Sequence, residues 1–135
     1  MGLKERRAIK DFQDNHFPKL CEDIKKAAEK DIEIEVDWDS LAIPKYSEQY
    51  ADFFTKIYFL PLIGAFENIC IDEMGKEALA ESVQRIHICN KSEQYGEVAY
   101  SLKDGVLTVD HIPNTNSEDV DKRVNWLTNM LEDAL

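Results

Sequence analysis

Residues 32–40, IEIEVDWDS, alternate strictly between two kinds of side chain. Ile32, Ile34, Val36 and Trp38 are apolar; Glu33, Glu35, Asp37 and Asp39 are acidic. Paired carboxylates can chelate a cation, share a proton, or act as acid and base on either side of a sugar. Same-face side chains on a strand stand roughly 6.5–7 Å apart. That is too wide for neighbouring acids to share a proton or chelate one ion directly. It approaches the separation of inverting-glycosidase carboxylates, but those sit on separate elements around a sugar pocket. A calcium loop fails as well. Asp37, Asp39 and Glu48 would fill its first, third and twelfth positions, but Leu41 and Ala42 stand where an oxygen ligand and a glycine are needed. No metal site and no cofactor are expected. The ladder then reads as a solvated strand face, or as a docking face for a basic protein partner, with Glu33, Glu35, Asp37 and Asp39 as the binding residues. Arg85, His87 and Lys91 are the nearest candidates to neutralise it from a neighbouring strand.

A second constellation is RIHICN, residues 85–90. If Ile86 and Ile88 point inward, His87 and Cys89 share the polar face, and a Cys–His pair can generate a thiolate nucleophile. At positions i and i+2 of one strand their side chains run parallel, and no oxyanion donor or third member accompanies them. They form a candidate reactive pair only. Asp110 and His111 fall on opposite faces and make no dyad; His111 is expected at a strand end near solvent. His16 sits beside a helix break. The chain has no glycine-rich phosphate loop, no GxSxG, no HExxH and no CxxC.

The 135-residue chain is 44% hydrophobic and 32% charged, the composition of a folded domain with a core. Its net charge is −11. Such a surface repels phosphate backbones and anionic membranes, so neither nucleic acid nor membrane is expected as a partner. Residues 32–75 are the most acidic stretch, with two basic and nine acidic groups. The first fifteen residues lack an apolar signal-peptide core, and the most apolar run, IYFLPLIGAF, is too short to span a bilayer. Cys21, Cys70 and Cys89 are widely spaced and fit reduced thiols in the cytoplasm.

These residues need elements to position them. Apolar spacing predicts helix over residues 3–30, broken near Asn15 because Pro18 suits only a first turn. The acidic strand follows. A long helix capped by Ser47 carries Phe53, Phe54, Tyr58, Phe59 and Phe66 and should kink at Pro61. Gly75 is expected to separate it from a shorter helix over 76–83. VAYSL and VLTVDH form a hairpin about Asp104–Gly105, which pairs Leu102 with Leu107, Tyr100 with Val109 and Val98 with His111. The last helix has Thr115 and Glu118 as a capping box, with Ser117 as a rival cap, and Val120, Val124, Leu127 and Leu131 as its apolar stripe.

The element order is α-β-α-α-β-β-β-α, and residues 1–135 read as a single compact domain. The expected fold is a two-layer α+β domain with an antiparallel, mostly meander sheet of about four strands covered on one face by helices. With no catalytic motif in view, the expected function is that of a non-catalytic acidic interaction domain, of the regulatory or toxin-neutralising type. The rival expectation is a small enzyme or small-molecule-binding protein with a pocket between the sheet and the Pro61-kinked aromatic helix.

Overall fold

A proline in the middle of an apolar helix sets the architecture. The computed structural model describes residues 1–135. Pro61 has no N–H to donate and its ring crowds the preceding turn. The helix from Tyr50 to Ile69 answers by widening. It runs as α4 (Tyr50–Phe54), a π-helical turn (Thr55–Phe59) in which the Leu60 N–H donates to Thr55 O, and α5 (Leu60–Ile69). Three consecutive side chains, Ile57, Tyr58 and Phe59, are thereby all fully buried, which a regular helix at a core surface rarely manages.

Two helices precede it, α1 (Leu3–Asn15) and α2 (Phe17–Ala28), broken at His16 with Pro18 in the first turn of α2, as the proline rule requires. The α2 helix lies parallel to α5. Phe17 meets Phe59 at one end (5.7 Å between rings), and Cys70 Sγ lies 3.7 Å from Ala28 O at the other. The last helix, α7 (Val120–Ala134), also runs parallel to α5: Gly64 abuts Val124, and Asn68 Nδ2 donates to Thr128 Oγ1 at 3.2 Å. The predicted capping box does not form. The Asp119 side chain makes no cap, Glu118 pairs with Lys56, and the Thr115 carbonyl serves Arg123.

The sheet has four strands, β1 (Glu33–Val36), β2 (Arg85–Cys89), β3 (Tyr100–Lys103) and β4 (Val106–Asp110), in the order β1-β2-β4-β3. It is mixed and not the antiparallel meander expected. β1 pairs with β2, and β2 with β4, in parallel; only β3 and β4 are antiparallel. The hairpin itself forms in the predicted register, Tyr100 opposite Val109 and Leu102 opposite Leu107, with both Asp104 and Gly105 at positive φ, as a type I′ turn demands. Where it goes differs. Residues 90–96 cross the end of β4, held by the Asp110 carboxylate, which accepts from Lys91 N (2.8 Å) and Ser92 N (3.2 Å), and by Ile112 N donating to Gln94 O (2.8 Å). The crossing puts β4, with both inward residues buried, beside β2, and leaves β3, with Ser101 and Lys103 exposed, at the edge. It also cuts β3 short. Val98 lies in a 3-10 turn (Glu97–Ala99), exposed, and does not face His111.

The acidic strand is shorter than its alternation. After Val36 the chain leaves the sheet, and Trp38 opens a one-turn helix, α3 (Trp38–Leu41). Ser40 Oγ donates to Asp37 O (2.7 Å) and accepts from Asn90 N (3.0 Å), pinning this turn to the end of β2. Trp38 then stacks edge-on against Phe17 (5.0 Å) and also meets Phe12 and Phe54. Aromatic burial outweighs two more residues of ladder hydrogen bonding.

A single cluster of 26 buried residues joins helices and sheet. Ile86, Ile88, Leu107 and Val109 face it, while Glu33, Glu35, Arg85, His87, Ser101 and Thr108 form the opposite, exposed or half-buried face. The remaining helix, α6 (Glu73–Ser82), starts with Asp72 as cap, its carboxylate accepting from Gly75 N at 2.8 Å. Gly75 therefore lies inside the first turn and not between helices; residues 70–72 make the break. A Cβ at Gly75 would run into the Ile69 carbonyl oxygen. Gly→Ala in a helix ordinarily stabilises by about 1 kcal/mol. Here the sign should invert: Gly75→Ala lowers the thermal midpoint, with a loss of about 1–3 kcal/mol, and Glu77→Ala, exposed on the same helix, serves as the unaffected control in the same melt.

Candidate functional site

The acidic residues are split by the end of β1. Glu33 and Glu35 point from the strand to the open face of the sheet, opposite Arg85 and His87 respectively. Asp37 lies at the strand end, its N–H donating to Ile88 O at 2.9 Å, and Asp39 is exposed on α3. The four carboxylates thus form a strand pair and a turn pair, not one row.

Neutralisation of these acids is slight. His87 Nδ1 lies 2.9 Å from Glu35 Oε1, but the approach is out of line for a hydrogen bond, so Nδ1 has no directed partner. Arg85 Nε is buried and likewise unpartnered, although its residue stands opposite Glu33. Neither Glu33, Asp37 nor Asp39 enters an ion pair, and Lys91 does not reach them. Lysines elsewhere find acids: Lys10 with Asp14, Lys19 with Asp23, Lys25 with Asp31, Lys56 with Asp52 and Glu118. As one of the two outer strands, β1 also has one backbone edge unpaired.

His87 and Cys89 share the outer face of β2 but are not brought together as a reactive pair. Cys89 is 2% exposed and lies opposite Asp110. Burial first, and then the Asp110 carboxylate, push its thiol up to about 11, the opposite of what a nucleophile needs. No three His, Cys, Asp or Glu side chains converge as metal ligands. Between the sheet and the Pro61 helix, where a pocket was expected, Phe54, Ile57, Tyr58 and Phe66 fill the space completely. The grooves that exist lie on the surface, between α2 and α5, between β3 and α7, and at the α5–α6 corner.

The most elaborate polar arrangement is one that sequence reasoning missed. Arg123, on α7, is fully buried. Its Nε donates to His111 Nε2 (3.1 Å), Nη1 to Asn116 O (2.8 Å) and Nη2 to Thr115 O (2.6 Å), and its guanidinium stands 5.6 Å from the centre of the Tyr95 ring. His111, expected near solvent, is fully buried as well. It carries its proton on Nδ1, which donates to Ile112 O (2.6 Å), and its carbonyl accepts from Tyr58 Oη (2.6 Å). A signal for this was present: Arg123 falls three residues after Val120 and four before Leu127, on the apolar stripe of its helix. The cluster is closed to solvent and ties residues 111–119 to α7.

Comparisons with protein-family models, curated proteins and solved structures give no match to this chain.

Burial, and then the Arg123 charge, hold His111 neutral down to about pH 4, against 6.5 for a free histidine. Between those values the unfolded chain binds a proton that the folded chain does not. Stability therefore falls as pH drops from about 6.5 to 4, by roughly 3 kcal/mol from this residue. Urea melts across that window should show a shallower pH slope for His111→Gln than for the parent chain. Equal slopes would remove His111 from the account, whatever the absolute stability of the variant.

Proposed function

We propose that this chain is a non-catalytic acidic interaction domain that holds a basic protein partner against β1 and α3, with Glu33, Glu35, Asp37 and Asp39 as contacts. One observation carries the reading: these acids stand on an outer strand and the turn after it, and no lysine or arginine pairs with any of them. A free backbone edge flanked by carboxylates that no lysine or arginine pairs suits a partner that brings both an extended segment and positive charge. The net charge of −11 disfavours nucleic acid in the same role. No helix is long and apolar enough to cross a membrane. Three free cysteines suit the reducing cytoplasm, where a regulatory or toxin-neutralising partner would act.

Exposed charges act mostly on association, because they steer encounter and are screened within about 8 Å at physiological salt. The test is paired capture from lysate with the parent chain and with Glu33→Lys/Glu35→Lys as baits, at low and high salt. The reading expects a basic protein held by the parent at low salt, lost at high salt, and held at least about tenfold more weakly by the variant, whose circular dichroism is unchanged. Equal retention by both baits at low salt would refute it.

A further inference from the structure

Ile71 and Met74 are the most exposed large apolar side chains of the chain, at 83% and 81%. Single exposed apolar residues are ordinary. These two flank the start of α6 and open onto a groove of about 290 Å³ that Ile69, Ala78 and Leu135 also line. The corner does not need them to fold, because Asp72 supplies the cap and Gly75 the close approach to Ile69.

The electrostatic setting of this corner is unusual. Since α2, α5 and α7 run parallel, their C-terminal ends gather at one end of the helical layer. Helix C-termini carry partial negative charge from unsatisfied carbonyls. Lys25 and Lys26 in the last turn of α2 offset its own end, but neither α5 nor α7 has a basic residue in its last turn. Carboxylates add to the field: Asp72 and Glu132 line the groove, and Glu73 begins α6. Lys76, the neighbouring cation, is engaged by Glu29 (3.4 Å) and Glu73 (3.3 Å). The α6 N-terminus points its positive end here too, and the Asp72 carboxylate satisfies it.

We propose that this corner docks a cationic amphipathic segment of a partner protein. Its apolar side chains seat on Ile71, Met74 and Leu135, and its lysines or arginines lie over Asp72, Glu132 and the C-terminal ends of α5 and α7. Charge complementarity selects this occupant. A second copy would bring two like-charged corners together, which opposes association. The unbranched Met74 side chain can reshape to different apolar partners. This surface lies on other elements than β1 and does not depend on that strand's role.

The test titrates the full ¹⁵N-labelled chain with a synthetic peptide of about twelve residues, lysines and leucines at helical spacing, and with a control in which serine replaces every leucine. Amide shifts should concentrate in residues 69–78 and 132–135. The amphipathic peptide should bind at least about tenfold more tightly than the control, and weaken in about 0.5 M salt. Ile71→Ser/Met74→Ser should abolish that preference while circular dichroism stays unchanged, since both side chains point to solvent. Glu33→Lys/Glu35→Lys should retain it, which separates this surface from the β1 reading. Equal binding of the two peptides, or shifts centred on β1, would overturn the proposal. So would self-association of the peptide-free chain that the serine variant removes.

Discussion

A buried guanidinium without a carboxylate ties the end of the sheet to the helices. Burying a cation costs several kcal/mol unless its donors are met. Arg123 meets this condition with two backbone carbonyls, one imidazole nitrogen and an aromatic face. Each partner comes from a segment with no regular structure of its own: residues 111–116 after β4, and Tyr95 in the crossing before β3. Displacing His111 or the 115–116 carbonyls would leave a buried donor unpaired, which ties these loops to α7. Through His111 the same cluster reaches Tyr58 in the π-helical turn. One side chain thus couples the end of the sheet, the crossing segment, α7 and the central helix. A protonated His111 would present a second N–H to Arg123 where a lone pair is needed, which is why the cluster demands the neutral imidazole.

The second constraint is directional. Pro61 lies just past the π-helical turn, three residues in that turn are buried in succession, and α5 beyond it runs parallel to α2 and α7. Parallel helices add their dipoles, where antiparallel neighbours would cancel them. The consequence is a negative end where α5 and α7 finish without a basic residue, on a chain that already carries an excess of acids. The carboxylates of β1, which no lysine or arginine pairs, and the apolar corner between α5 and α6 are the two surfaces proposed for a positively charged protein. Neither adjoins an enclosed cavity; the grooves of the molecule lie open on its surface. The one thiol on the open sheet face, Cys89, is buried and held protonated.

Local patterns were legible where a local rule was complete. The hairpin formed in the register that its Asp-Gly turn and alternation specify. The break before Pro18 followed from a missing N–H and a crowding ring; at Pro61, where a kink was expected, the helix carries a π-helical turn. The acidic strand was visible as alternation, but its end was not. Trp38 fits the period of a strand and also the aromatic cleft between Phe12, Phe17 and Phe54, and the cleft lies far away in sequence. His111 was misplaced for the same reason, since its partner Arg123 is brought to it only by packing of α7. Arg123 itself stood on an apolar stripe, a position where a charge calls for an explanation.

By itself the sequence determined the class of elements, their approximate limits, the hairpin register, and the surplus of negative charge. These depend on side-chain period, on proline and glycine stereochemistry and on composition, all readable within a few residues. Only the tertiary structure decided the strand order, the π-helical turn, the burial of Arg123 with His111, and which acids remain without a counter-charge. Those outcomes compare contacts between segments many residues apart. The order of the sheet is the clearest case: a meander and the observed β1-β2-β4-β3 arrangement contain the same hairpin. The observed order is held by Asp110, which caps the crossing segment, and by Ile112 N donating to Gln94 O.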